Sequence, residues 1–369
     1  MTDKRLQFHA VLTVPVNLRT GRYDVSIEAG LVERTGQMLR RLSKSAKAGI
    51  VTDTHVAELH LPALENSLKS AGFQTITATV PAGEQHKTVS MLLPMYDQFL
   101  SAGIERSTPI VAFGGGMVGD MAGFLAATIL RGVPLVQVPT TLLAMVDASV
   151  GGKTGVDHAV GKNLIGAFYQ PIAVFADPQV LTTLPVRELQ NGLAECIKHD
   201  LIRDAEAFAT LDEKIAGVLN LDMAVLPDLI AHNVAIKAKV VEADPLEKDE
   251  RAHLNFGHTF GHAIESASNY SYSHGQSVAL GMCAAAYVCR KLGTIDAADE
   301  ARIVSTIRTA GLPVGGLRVE VDKVCQTMAF DKKVRDGRIR LVLLEKLGKA
   351  MVRQDVPAEL IREAVEALK

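Results

Sequence analysis

In the stretch HLNFGHTFGHAIE, His253 to Glu265, His258 and His262 stand four residues apart, and His274 follows shortly after. On a helix, positions four apart share a face, so both imidazoles can enter one pocket. Imidazole is a common zinc ligand, and catalytic zinc takes three protein ligands while keeping one position open. The metallopeptidase pattern HExxH is absent, because Thr259 occupies the place of its general base, and this excludes a zinc peptidase. A lone histidine is more often structural than ligating; several beside a glycine-rich pattern favour a site. A carboxylate partner is available at Glu195, Glu265 or Asp200, and spacing does not choose among them.

Two glycine-rich stretches offer a different chemistry. FGGGMVGD ends an apolar, β-rich run and opens a helical one. Glycine there lets a backbone approach a pyrophosphate, and a helix N-terminus supplies free N–H groups and partial positive charge. Its spacing departs from GxGxxG, and packing alone explains many such turns. Asp53, ending an earlier strand, is placed to receive a ribose hydroxyl or is an ordinary loop aspartate. VGGKTGVDHAVGKN, Val150 to Asn163, sets Lys153 and Lys162 among glycines. It is not a Walker A loop, since five residues separate Gly155 from Gly161 and Asn163 replaces Ser/Thr. It reads as a loop whose backbone and lysines bind an anion.

The elements that must position these residues fall into two textures. Up to about Leu184, strands such as YDVSIEAG, AGIVTD, TPIVAFGG, PLVQVPTT and PIAVFADP alternate with helical stretches, one of them His55 to Gly72. That alternation predicts a mostly parallel sheet covered by helices. From Arg187 onward the chain is mainly amphipathic and helical, over residues 188–201, 222–241, 258–268, 277–292 and 296–309, with RIRLVLLE the single expected strand. We therefore expect an α/β domain over residues 1–184 and a helical domain over 185–369. A ligand cleft between them, closing about a hinge near Thr183–Arg187, is also expected.

The 369 residues suffice for two cores. A net charge of −2 excludes a nucleic-acid scaffold, which needs a basic excess. The most apolar segment, MAGFLAATIL, is too short to span a bilayer. No signal-peptide pattern precedes it, so a cytoplasmic protein without a membrane role is expected. The four cysteines show no CxxC spacing and read as reduced, mostly buried thiols.

Running from GEQHKT to DKKVRDGRIRLVLL, the motifs GGGMVGDMAGFLAATILRG, VPTTLLAMVDASVGGKTGVDHAVGKNLIGAFYQP, LAECIKHDLI and LNFGHTFGHAIE resemble, in this order, the 3-dehydroquinate synthase family of sugar phosphate cyclases. The resemblance implies a Rossmann-like N-terminal domain, a helical C-terminal domain and a homodimer. It also implies a divalent metal, zinc foremost with cobalt as alternative, held by Glu195, His258 and His274, with His262 facing substrate as a proton shuttle. Implied NAD contacts fall on Asp53, Glu84, Lys87, Gly115, Gly116 and Asp120, then on Thr140, Thr141, Lys162, Thr183 and Asn191. Implied contacts to a phosphorylated ketose acid fall on Arg131, Asp147, Lys153, Asn163 and Lys198, then on Lys237, Arg251, Asn255 and His262, with Lys332 or Lys333 reaching in from the last segment. The implied reaction turns 3-deoxy-D-arabino-heptulosonate 7-phosphate into 3-dehydroquinate and phosphate, in the shikimate pathway to aromatic amino acids. Gln276 departs from the family, which usually carries Glu after HG, and the run EADPLEKDER carries no role over to Glu247. The rival readings are another sugar phosphate cyclase, a metal- and NAD-dependent polyol dehydrogenase, and a non-catalytic anion or nucleotide binder.

Overall fold

A computed structural model of the chain describes residues 11–247, 249–329 and 339–369. The chain folds as two compact units, one holding everything up to Leu184 together with Met223–Ala238, the other Pro185–Asp222 and Lys239–Lys369. Among the described residues no helix is long and apolar enough to cross a membrane.

In the first unit the strands are β1 (Leu12–Leu18), β2 (Gly21–Ile27), β3 (Lys47–Asp53), β4 (Gln74–Val80), β5 (Ile110–Gly114) and β6 (Leu135–Pro139). A hairpin of β7 (Lys153–His158) and β8 (Gly161–Phe168) then precedes β9 (Ala173–Ala176). One sheet has the order β1-β2-β9-β6-β5-β3-β4, parallel throughout except where β1 pairs antiparallel with β2. Every residue of β5 (IVAFG) and β6 (LVQVP) is buried, the continuous burial of a parallel strand covered on both faces. Helices α1 (Thr35–Leu42), α2 (Thr54–Ser70), α3 (Val89–Ser101) and α4 (Gly116–Thr128) connect the strands.

The chain leaves β3 toward the edge strand β4, then returns to place β5 on the other side of β3. Strand order therefore reverses between β3 and β5. The crevice at the carboxyl ends of two such strands is where open α/β sheets take ligands. Asp53 ends β3, and Gly115 and Gly116 follow β5.

The second unit contains α5 (Val186–Arg203), α6 (Ala205–Leu219), the end of α7 (Leu226–Ala243), α8 (His258–Ala267), α9 (His274–Lys291), α10 (Ala297–Thr309), α11 (Val321–Ala329) and α12 (Ala358–Glu366). One hairpin, β10 (Leu341–Lys346) with β11 (Lys349–Arg353), completes it. Helices α5 and α9 are buried along most of their length, as expected of helices lying inside a core. Helices α8 and α9 run antiparallel at very close range: a Cβ at Gly281 would fall 2.0 Å from the Gly257 carbonyl, and one at Gly261 would fall 2.9 Å from the Ser277 carbonyl.

The stretch from Val150 to Asn163 differs from the loop expected. It forms most of the β7–β8 hairpin, with Gly155 opposite Gly166. A Cβ on either residue would reach backbone at 2.5 Å or less. These glycines permit close strand pairing. The register also separates the two lysines: Lys153 pairs with Phe168 at the open end, while Lys162 lies beside the His158–Gly161 turn.

Candidate active site

Glu195 sits in the middle of α5, His258 is the first residue of α8 and His274 the first of α9. Their donor atoms lie within 4.8 Å of one another. Glu195 Oε1 is 3.5 Å from His258 Nε2 and 3.3 Å from His274 Nε2. A tetrahedral ion with bonds of about 2.0–2.1 Å separates its ligand atoms by about 3.3 Å. The donor set, one carboxylate and two imidazoles, thus fits a divalent cation in kind and in spacing.

Each ring is held from behind. His258 Nδ1 donates to the Phe256 carbonyl at 3.1 Å, which leaves the Nε2 lone pair toward Glu195. His274 Nδ1 faces Glu265 Oε2 at 3.8 Å. Of the three carboxylates that spacing left open, Glu195 joins the two imidazoles and Glu265 stands behind one of them; Asp200 is buried on α5 outside this group. The His262 ring lies 5.3 Å from that of His258 and 6.2 Å from that of His274.

Glu195 is fully buried. Burial alone would raise its pKa, yet the Lys198 ammonium, and after it His258 and His274, hold it well below the usual carboxylate range. Lys198 Nζ donates to Glu195 Oε2, a buried ion pair one helical turn long. Burial, only partly opposed by Glu195, keeps His258 well below the ordinary imidazole value. For His274 burial also pulls downward, but hydrogen bonds with Glu195 and Glu265 outweigh it and push the ring up to about 9.

In the first unit a second cluster forms around Lys87, 3% exposed. Its Nζ donates to Asp120 Oδ2 at 2.5 Å and to Asn163 Oδ1 at 2.6 Å, with Glu84 Oε1 at 3.5 Å. Burial lowers the Lys87 pKa, and Asp120 and Glu84 more than restore it. Asn163 has a left-handed backbone (φ 55°) and donates its N–H to Asp157 Oδ1. Asp147 and Lys237 are joined by an ion pair. The glycine turn after β5 runs beside Thr140 and Thr141: the Thr140 N–H donates to the Gly114 carbonyl, and a Cβ at Gly115 would come within 3.1 Å of Thr141 Cγ2. Thr140 Oγ1 is buried with no hydrogen-bond partner among the described residues. An orphaned hydroxyl beside the glycine turn that opens α4 suits a dinucleotide.

Other residues singled out from sequence are held separately. Asp53 Oδ1 caps α2, accepting from the N–H groups of His55 and Val56. Arg131 ends a short turn after α4 in which Leu130 (φ 50°) and Arg131 (φ 63°) are both left-handed, a strain that clusters at functional sites. The Thr183 hydroxyl donates to the Val180 carbonyl and contacts His60 Nε2 at 2.8 Å. In the second unit, Arg251 is buried, with its guanidinium on the Pro245 carbonyl, and Asn255 ends the turn before α8. Lys332 and Lys333 lie outside the described residues.

The families described as 3-dehydroquinate synthase N-terminal and 3-dehydroquinate synthase C-terminal match residues 77–191 and 192–334. A 3-dehydroquinate synthase of Nitrosomonas europaea is 45% identical over 97% of this chain and 96% of its own. Among solved structures, 2-epi-5-epi-valiolone synthase from Streptomyces hygroscopicus subsp. jinggangensis, with NAD+ and Zn2+ bound, is similar at TM-score 0.86 and 29% identity, covering 94% of this chain and 96% of that one. A 2-deoxy-scyllo-inosose synthase complexed with carbaglucose-6-phosphate, NAD+ and Co2+ reaches TM-score 0.89 at 25% identity, covering 97% and 100%. Identity of this level over nearly the whole length of both chains does not arise from a shared fold alone: the chain belongs to the 3-dehydroquinate synthase family.

Proposed function

We propose that the chain converts 3-deoxy-D-arabino-heptulosonate 7-phosphate to 3-dehydroquinate and inorganic phosphate, as a carbon–oxygen lyase of the shikimate pathway that uses NAD and one divalent cation. Zinc is the first choice of metal and cobalt the second, since imidazole and carboxylate ligands suit both. The observation that carries this reading is the convergence of Glu195, His258 and His274 in a chain 45% identical to a curated synthase.

The reaction oxidises a secondary alcohol, eliminates phosphate β to the new ketone, returns the hydride, opens the ring and closes a carbocycle by aldol addition. Bound at these sites, NAD would supply a reversible hydride acceptor and the cation a Lewis acid for the alcohol oxygen. The side chains of the protein do the rest. Lys198 holds the Glu195 carboxylate in place, and Glu265 and the Phe256 carbonyl fix the two rings that share it. His262, beside both imidazoles, takes and returns a substrate proton at its ring nitrogen. Lys153, Lys237 and Arg251 hold the phosphate and carboxylate of the substrate, Arg251 through two parallel hydrogen bonds. The dianionic phosphate is itself basic enough to remove the C–H proton in the elimination. Asn163, Asn255 and His262 then need only orient it. Lys87 holds both Asp120, a contact on the nucleotide side, and Asn163, which meets the substrate.

The test is turnover of the heptulosonate phosphate with added NAD and Zn2+. Phosphate and dehydroquinate should appear in equal amounts. Phosphate without dehydroquinate would favour another sugar phosphate cyclase, the class of both solved relatives named above. We also read the protein as a cytoplasmic homodimer without nucleic-acid or membrane partners; sedimentation equilibrium checks the dimer.

A further inference from the structure

We infer that Asn191 is a positioning residue for the cation centre, a strut from α5 that holds the first turn of α9 so that His274 points at Glu195. This rests on reading Glu195, His258 and His274 as that centre. The family resemblance gives Asn191 a contact to NAD; its surroundings give its amide another task. Asn191 Oδ1 accepts from Ser273 Oγ at 2.7 Å and from the Gly275 backbone N–H at 3.2 Å, the two residues flanking His274. A backbone N–H can only donate, so the atom facing it is the amide oxygen, and the flip of the amide is fixed. An amide oxygen has two lone pairs, and both are engaged. Asn191 Nδ2 donates to Glu188 Oε2 at 2.9 Å, which leaves one N–H for anything else.

Three further features make this contact rigid. Asn191 and Glu195 are four residues apart on α5 and therefore share its face, so strut and ligand meet the same turn of α9. Ser273 is the N-cap of α9 in a capping box: its hydroxyl accepts from the Gln276 N–H, and Gln276 Oε1 accepts from the Ser273 N–H. Glutamine closes this box as glutamate does. Finally, a Cβ at Gly275 would fall 2.5 Å from Asn191 Cα, so the helices touch backbone to backbone and a side chain at 275 would force them apart. The Gly275 N–H is also one of the helix-start donors that have no partner within the helix, and Asn191 supplies it.

The experiment measures Zn2+ affinity of the NAD-free protein by competition with a chromophoric chelator. Loss of a partner that orients a metal ligand typically weakens affinity about 10–100-fold, and that is the loss expected for Asn191→Ala. Ser273→Ala should show a smaller loss with NAD affinity unchanged, and Ser273→Thr, which keeps the hydroxyl, should restore wild-type binding. The double variant should be no weaker than Asn191→Ala alone, because both residues act through one contact. Wild-type Zn2+ affinity in Asn191→Ala of unchanged circular dichroism would overturn the strut. If Asn191→Ala does not fold, wild-type Zn2+ affinity in Ser273→Ala would overturn it instead. Glu195→Ala is the control for the centre itself: undiminished Zn2+ binding there removes the cation reading rather than the strut.

Discussion

Lys87 is the residue whose surroundings are most telling, because a lysine this deeply buried needs anionic partners or sheds its proton. Its partners are Asp120, Glu84 and the Asn163 amide. Asp120 in turn is raised from its ordinary value by burial, with Lys87 pulling it down. Replacing Lys87 with Met keeps the volume and leaves the Asp120 carboxylate without its cation. Breaking a buried pair from one side costs about 3–5 kcal/mol, and the lower end applies here because Asp120 retains some contact with water. The pH dependence has a definite sign. With Lys87 gone, the folded-state pKa of Asp120 rises further above its unfolded value. The folded form then binds the proton first, so stability of the variant grows as pH falls through that raised pKa. Urea denaturation should show a deficit of about 3 kcal/mol at pH 8 that shrinks toward pH 5. An equal deficit at both values would mean that Asp120 carries no uncompensated charge. NAD affinity should fall in the same variant, since Asp120 loses its anchor.

Individual helices and hairpins show how far a sequence can be read and where it stops. The alternation of β3, β5, β6 and β9 with helices was legible, because parallel strands buried on both faces appear as short apolar runs between turn residues. So was the pairing of His258 with His262, which depends only on helical periodicity. Helix α6 was missed although Asp204 caps it, accepting from the Ala207 N–H; a carboxylate before an alanine-rich run was its available signal. The β7–β8 hairpin was misread as a loop because its glycines carry two opposite meanings, freedom to wrap a ligand and absence of a Cβ where strands meet. Only the register distinguishes them. The choice among Glu195, Glu265 and Asp200 was likewise closed to spacing, since it depends on how α5 approaches α8 and α9. The close pairing of α8 with α9 is itself set by glycines, and Gly281 tests it. In an exposed helix Gly→Ala gains about 1 kcal/mol. Gly281→Ala drives a methyl into the Gly257 carbonyl, directly before His258, so the sign should reverse to a loss of about 3 kcal/mol, the upper range for overpacking. Bound zinc should fall with it, by elemental analysis after dialysis. A stabilised variant with full zinc would show that α8 and α9 have room to spare.

For the molecule as a whole, the proposal makes a claim about where a hydride ends. A polyol dehydrogenase using similar parts passes hydride to NAD and releases NADH, so each alcohol oxidised consumes one dinucleotide. In the cyclase reaction the ketone formed by oxidation exists to acidify the neighbouring C–H and expel phosphate, after which the same hydride returns. No net oxidation occurs, and one NAD serves many turnovers. On the proposed reading Lys153, Lys237 and Arg251 serve the phosphate and carboxylate of the substrate, two groups that an uncharged polyol does not carry. With NAD limiting and heptulosonate phosphate in large excess, phosphate should be released far beyond the amount of NAD present, while near-ultraviolet absorbance of NADH stays flat after the first turnover. Removing the cation with a chelator should stop phosphate release as well as any oxidation, since elimination waits on the ketone. NADH that grows in step with substrate consumed, or phosphate release that stops once it equals the NAD supplied, would assign the chain to the dehydrogenases instead.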